Sequence, residues 1–300
     1  MSTPPAPDAL HAHAADPGTT PLVRVVCVVY HPGDELARFA ETLADASAHP
    51  VELVVVDNGS DHTVARAVTR DVGAELVVPG ANLGYGTAAN RGAAGARTPW
   101  LVVANSDIEW TPGSLDRLVA AGDEQPSAGA LGPMLLNADG TMYPSARALP
   151  SLRQGAGHAL FARVWPGNPW TRGYHARQES TGGYLRDAGW LSGACLLLRR
   201  EAFEQVGGFD ETYFMFFEDV DLGERLGRAG WENIYVPDVQ VTHVGGTSWR
   251  DRPAPMIRAH HDSARRYLER RYRHWYQAPL RLALRVGLGV REHLQLRAER

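Results

Sequence analysis

From residue 23 onward, unbroken apolar runs alternate with stretches whose apolar positions recur every three or four residues. The first run, 23–30, is closed by Pro32 and Gly33, and a helical stretch covers 34–48. A second run, 51–56, stops at Asp57-Asn58-Gly59 before a helical stretch over 62–72. A third, 75–78, leads through Gly80 into a helix over 86–96, and a fourth, 100–104, ends at Asn105-Ser106-Asp107. Runs that are apolar throughout, rather than at alternate positions, are strands covered on both faces. The pattern therefore predicts an α/β fold with a Rossmann-like, mostly parallel sheet. Such sheets take ligands at the carboxyl ends of their strands. Tyr30, Asp57 and Asp107 stop the runs at those ends.

Beyond residue 131 the rhythm is lost. Residues 137–188 are rich in Gly, Pro, Arg and aromatics and read as long functional loops. Regular structure is expected again over 190–198, in helices from 201 and over 218–229, and in a short strand over 233–236. The last fifty residues read as helical. Residues 1–21, rich in Pro, Ala, His and Thr, read as a disordered tail. The division expected is a domain over 22–250, with a first half (22–107) and a second half (108–250), and a basic extension over 251–300.

Composition narrows the chemistry. The chain is 44% hydrophobic with a net charge of −4, ordinary for a globular protein and unsuited to nucleic acid. It contains no lysine, which excludes a P-loop phosphate site and a Schiff base. Cys27 and Cys195 sit in apolar runs and read as buried thiols of a reducing compartment. With no leader and no run long enough to span a bilayer, a cytoplasmic location is expected. Residues 250–300 hold 13 arginines against five acidic residues. Leu268, Tyr272, Trp275 and Tyr276 fall at i, i+4, i+7, i+8, the spacing of one helix face. A basic, aromatic, amphipathic helix suits the anionic inner face of a membrane; a helix packed on the main domain is the other reading.

Six motifs follow one another: V-V-V-D-N-G-S (54–60), N-L-G-Y-G-T-A-A-N-R-G (82–92), N-S-D (105–107), W-L-S-G-A (190–194), F-F-E-D-V-D-L (216–222) and T-H-V-G-G-T-S (242–248). On them the chain resembles the inverting family 2 glycosyltransferases over roughly 23–250. Within that family it is most similar to bacterial L-rhamnosyltransferases, above all actinobacterial ones acting on N-acetylglucosaminyl-diphospho-decaprenol in building the arabinogalactan linker. The resemblance implies an A-type glycosyltransferase (GT-A) fold. It also implies a dTDP-L-rhamnose donor, a polyprenyl-diphosphate-linked N-acetylglucosamine acceptor, and Mn²⁺ or Mg²⁺. Other sugars, and a non-catalytic sugar- or lipid-binding module, stay open as alternatives.

The residues carry these implications one by one. Asp57, before the Asn58-Gly59 turn, is suited to accept the imide N–H of uracil or thymine, or else to lead into the next helix beside Ser60 and Asp61. Tyr30, Asn82, Gly84, Asn105 and Ser106 line the donor side, with Arg91 implied near the pyrophosphate. Gly84-x-Gly86-x-x-Ala89 imitates a dinucleotide fingerprint, but it follows the third strand instead of the first. Asp107 keeps only the second carboxylate of the family's D-x-D pair. With His243 it forms the implied metal pair, and an imidazole favours Mn²⁺. Trp190 offers a flat face and Gly193-Ala194 a close backbone approach to a sugar, while core packing of Trp190 is the plain alternative. Phe214 to Phe217 are expected to bury the approach to Glu218, Asp219 and Asp221. Asp219 is the implied general base, with Glu218 orienting it or holding the acceptor.

Overall fold

The computed structural model describes residues 20–150, 186–245 and 253–299. Its first half follows the apolar rhythm closely. Strands β1 (Val23–Val29), β2 (Val51–Asp57), β3 (Glu75–Val77) and β4 (Trp100–Asn105) alternate with helices α1 (Asp34–Ala46), α2 (Thr63–Val72) and α3 (Tyr85–Ala93). The four strands are parallel in the order β3-β2-β1-β4. Side chains alternate across a strand, so each apolar run supplies two cores. Val25, Cys27 and Val29 pack with Leu36 and Phe39 of α1 on one face. Val26 and Val28 pack with Ala88 and Ala89 of α3 on the other. Alpha-3 lies close because its inner face is small: a Cβ on Gly92 would stand 2.4 Å from Val26 Cγ1. Arg24 interrupts the first run and donates to the carbonyls of Gly92 (3.2 Å) and Ala94 (2.8 Å) at the end of α3, where a cation suits the helix dipole.

The second half is less regular than a parallel sheet and holds more structure than the sequence pattern predicts. Strand β5 (Ile108–Trp110), helix α4 (Ser114–Glu124) and strand β6 (Ala128–Asn137) occupy a stretch with no predicted element. Part of the expected loop region is ordered, as β7 (Met142–Tyr143), β8 (Ala146–Arg147) and β9 (Arg186–Ala188). The rest of it, and nearly all of the predicted disordered tail, lie outside the described residues. The run over 190–198 divides into β10 (Trp190–Leu191), paired with β8, and β11 (Cys195–Arg199), which inserts antiparallel between β4 and β6. Helices α5 (Arg200–Gln205) and α6 (Glu218–Arg228) precede β12 (Glu232–His243). The strand expected over 233–236 is thus twelve residues long. Pro237 cannot donate to the ladder, and the register shifts between Val236 and Gln240 before pairing with β6 resumes. The complete sheet is mixed, in the order β3-β2-β1-β4-β11-β6-β12-β5.

Two helices close the chain, α7 (Pro253–Arg271) and α8 (Ala278–Ala298). They correct the single aromatic face. Alpha-7 ends before Tyr272, and Trp275 and Tyr276 fall in a short 3₁₀ turn, 86% and 61% exposed. The i, i+4 spacing ignored a break that Arg273-His274 introduces between the helices. His261, Ser263, Ala264 and Tyr267 of α7 are instead buried against the main domain, whereas α8 buries no residue fully.

Candidate active site

The parallel strands deliver the donor-side residues to one edge. Val29 is level with Asp57, and Val28 with Asn105. Asp57 is buried, and its oxygens are engaged locally. Oδ1 accepts from the Gly59 N–H at 2.8 Å, and Oδ2 lies 2.7 Å from His62 Nδ1. The helix lead-in is made by Asp61, whose Oδ1 accepts from the Thr63 N–H at 2.9 Å. Asn58 reaches across to the next loop, donating to the Gly84 carbonyl at 3.0 Å. Asn82 Oδ1 accepts from the Gly84 N–H at 3.0 Å. Tyr30 is half-exposed at the edge, its ring against His31. Arg91 is not brought to this group. It sits exposed in the last turn of α3, six residues from Tyr85 and so about 9 Å further along the helix axis.

Antiparallel pairing of β12 with β5 sets His243 against Ile108, directly beside Asp107. Asp107 Oδ1 is buried without a hydrogen bond and lies 3.3 Å from His243 Nε2. Asn105 Nδ2 is 3.4 Å from the same nitrogen, and the Tyr143 ring meets His243 edge-on at 5.7 Å. Among the described residues no group of three metal-ligating side chains occurs. An unpartnered carboxylate oxygen facing an imidazole nitrogen nonetheless fits a divalent cation that takes its remaining donors from a ligand. Ser106, between them, is partly buried.

The acids are tied to this pair through the turn over 190–194. Gly193, between β10 and β11, uses its backbone twice. Its carbonyl accepts from the Tyr85 hydroxyl at 2.6 Å, and its N–H donates to Asp219 Oδ2 at 3.0 Å. Asp219 Oδ1 accepts from the Val220 N–H at 2.8 Å. The neighbouring Ala194 carbonyl accepts from Asn105 N, so the W-L-S-G-A turn joins the acid to the metal side. Burial raises the Asp219 pKa, while the Gly193 and Val220 N–H groups and the nearby Arg147 hold it back. Glu218 is only 6% exposed, its Oε2 has no partner, and burial with the adjacent Asp219 charge pushes its pKa up to about 8. Asp221 is committed to Arg225, one turn on, at 2.6 Å.

The loop before Glu218 is strained. Phe216 and Phe217 both occupy the left-handed region, at φ +68° and +66°. Phe214 and Phe216 are partly exposed, so the four residues do not form the buried approach that their composition predicts. The rings of Phe216 and Phe217 turn instead toward His260 of α7, 5.5 Å from each. Ser263 donates to the Met215 carbonyl at 2.8 Å, and Tyr85 N donates to the Phe214 carbonyl at 3.0 Å. Gly84, at φ +82°, permits that last approach, since a Cβ there would stand 2.0 Å from Phe214 O. Trp190 donates to the Ala148 carbonyl at 3.2 Å and packs against Gly223. Sequence reasoning missed Tyr85, Arg147, His62, and the α7 residues His260 and Ser263. Tyr85 lies inside a recognised motif, whereas nothing in the pattern marks the others.

Comparison with known proteins gives consistent matches. The model of the glycosyltransferase like family 2 matches residues 17–260. The chain is 48% identical, over 291 residues, to the N-acetylglucosaminyl-diphospho-decaprenol L-rhamnosyltransferase of Mycobacterium tuberculosis, covering 93% of this chain and 94% of that protein. Among solved structures it is similar to GalNAc-T7 with UDP, GalNAc and Mn²⁺ (TM-score 0.56, 15% identity, 77% of this chain and 45% of that one). It is also similar to a mannosyltransferase from Pyrobaculum calidifontis in complex with GDP-Man and Mn²⁺ (TM-score 0.52, 20% identity, 84% of this chain and 66% of that one). At such identity these structures speak for the fold alone, which is GT-A.

Proposed function

Because this chain belongs to the family 2 glycosyltransferases, we propose that it transfers L-rhamnose, with inversion, from dTDP-L-rhamnose to a polyprenyl-diphosphate-linked N-acetylglucosamine. The observation that carries the sugar and acceptor is the 48% identity, over nearly the whole of both chains, to the mycobacterial enzyme of that name. The product is then a precursor of a cell-wall linker of the arabinogalactan type.

Asp219 acts as general base. It takes the proton of the acceptor hydroxyl as that oxygen bonds to the anomeric carbon and the nucleoside diphosphate departs from the opposite face. Two backbone N–H groups orient its carboxylate and favour the ionised form. Glu218, with its pKa near 8, is mostly protonated at neutral pH and so keeps a second charge away from the base. Asp107 and His243 hold the cation, Mn²⁺ or Mg²⁺, which offsets the charge of the donor diphosphate. Asp57 with Asn58, Tyr30, Asn82 and Gly84 frames the nucleotide, and Trp190 frames the acceptor.

The helical extension places the enzyme at the cytoplasmic face of the membrane, where a polyprenyl acceptor resides. No helix among the described residues is long and apolar enough to cross a membrane. Alpha-8 presents Leu282, Val286, Val290 and Leu294, all exposed, in a row of i, i+4 steps with arginines nearby. An apolar row with basic flanks suits an anionic surface.

The test is a panel of nucleotide sugars, with Mn²⁺, read first by thermal stabilisation and then by transfer to prenyl-diphosphate N-acetylglucosamine. The dTDP-rhamnose sample should give the largest shift and the only rapid transfer. Preferential use of UDP-galactose or UDP-glucose overturns the donor. Binding without transfer or hydrolysis makes the protein a binding module. Full activity in EDTA removes the metal.

A further inference from the structure

Among the described residues, Arg147 is a cation near both sides of the site, and its charge acts on Asp219. Pairing of β8 with β10 sets it opposite Trp190, and a buried anchor fixes the segment: Ser192 N donates to Ser145 O at 2.7 Å, and Ser145 Oγ donates to Pro133 O at 3.0 Å. Its guanidinium lies 5.5 Å from the Trp190 ring and 6.0 Å from the Tyr143 ring. Tyr143 is the ring that meets His243, and Trp190 opens the turn whose Gly193 holds Asp219. Arg147 is therefore bracketed by the metal pair on one hand and the base on the other. Of its five donors, Nε alone is used among the described residues, on Pro144 O at 3.0 Å, and no carboxylate there pairs with it. The two rings flank the guanidinium, and among the described residues its terminal nitrogens donate to no other group. That is how arginine is prepared for phosphate rather than for packing.

We infer that Arg147 binds a phosphoryl group of one of the two diphosphates that meet in this site, the donor's or the acceptor's. The inference rests on the glycosyl-transfer reading and extends it to a residue outside every motif. One charge-assisted, forked contact is worth about 10- to 100-fold in affinity. Arg147→Lys keeps the charge but loses the fork, and Arg147→Gln loses both.

The experiment measures three quantities for wild type and both variants, with Mn²⁺: melting temperature without ligand, the shift produced by dTDP, and KM for donor and acceptor separately. If the donor phosphate is bound, the dTDP shift shrinks and donor KM rises about 10- to 100-fold. If the acceptor phosphate is bound, the dTDP shift stays and only acceptor KM rises. Either result supports the inference and names the source. Unchanged shift and KM values, in variants that fold, overturn it. So does a lowered melting temperature with ligand responses intact, since packing alone would produce that. Failure of the broader reading looks different: wild-type protein then responds to another nucleotide or transfers nothing, whatever Arg147 does.

Discussion

The donor edge and the acid loop lie a few residues apart in space, yet they are held in place by opposite means. At the donor edge the polar contacts are mostly local, the bond from Asn58 to the Gly84 carbonyl being the longer reach. Asp57 binds Gly59 and His62, Asp61 binds Thr63, and Asn82 binds Gly84. The acid loop is supported from far along the chain. Phe214 is held by Tyr85, Met215 by Ser263, Phe216 and Phe217 by His260, and Asp219 by Gly193. Two consecutive left-handed phenylalanines cost on the order of 1–3 kcal/mol each, and they persist only where such surroundings over-determine them. Half of that support comes from α7. The first helix of the basic extension thus belongs with the main domain, and the second packs on the first, through Arg285–Glu269 at 2.6 Å and Arg265–Glu292, without burying a residue fully.

Deleting α7 and α8 together, from residue 253, should have the largest effect: turnover is lost and the protein aggregates, because Tyr213, Val220 and Phe217 lose their cover. Deleting from residue 275 removes only the 3₁₀ turn and α8. It should leave turnover on a water-soluble acceptor within a few-fold of wild type while abolishing binding to anionic vesicles. Equal damage from the two truncations, measured by turnover and by vesicle sedimentation, would erase the distinction between the helices.

Next in size is Asp219→Asn, which should lower kcat by about 10²–10⁴-fold with the dTDP-induced thermal shift retained, because a base at Asp219, as proposed, meets the acceptor and not the donor. Glu218→Gln should cost less. Near-normal turnover in Asp219→Asn beside a dead Glu218→Gln would exchange their roles.

Glu218 also predicts a pH dependence. Its folded pKa of about 8 lies above the ordinary carboxylate value of 4.5. Its contribution to stability is therefore full below 4.5 and is lost as pH rises through 8. Thermal melts of wild type should fall across that window, and those of Glu218→Gln should fall less. Parallel curves for the two would show that Glu218 is ionised in the folded protein at neutral pH.

The smallest effects separate the two kinds of support. Ser263→Ala should remove about 0.5–1.5 kcal/mol and lower kcat several-fold, since the bond it loses holds the acid loop. Asp61→Ala should lower the melting temperature slightly with kcat unchanged, since Asp61 only leads into α2. Matched losses of kcat in the two variants would mean that both regions are held alike.

The order of the six motifs, the four parallel strands and the strand-end position of Asp57 and Asp107 were all legible in the sequence. Each depends on interactions between near neighbours: apolar runs, Asx turns and short βα connections leave local patterns. Recognition of the family came from the same motifs. In the β5–α4–β6 segment, β5 is only three residues long and the start of β6 alternates Ala, Gly and Leu with little strand signal, whereas α4 carried a helical spacing, Leu115, Leu118, Val119 and Gly122, that sequence reasoning passed over. The arrangement of α7, Arg147 and His260 around the acids had no local signature at all. A pairing such as Ser263 with Met215, 48 residues apart, or Tyr85 with Gly193, 108 apart, exists only once the sheet has brought distant segments together. Sequence by itself determined which residues stand at the ends of the strands. Tertiary structure decided which carboxylate is oriented by backbone N–H groups, which is left with an unpartnered buried oxygen, and that α7 braces the strained loop leading to both, because burial and strain depend on contacts that no short window of sequence contains.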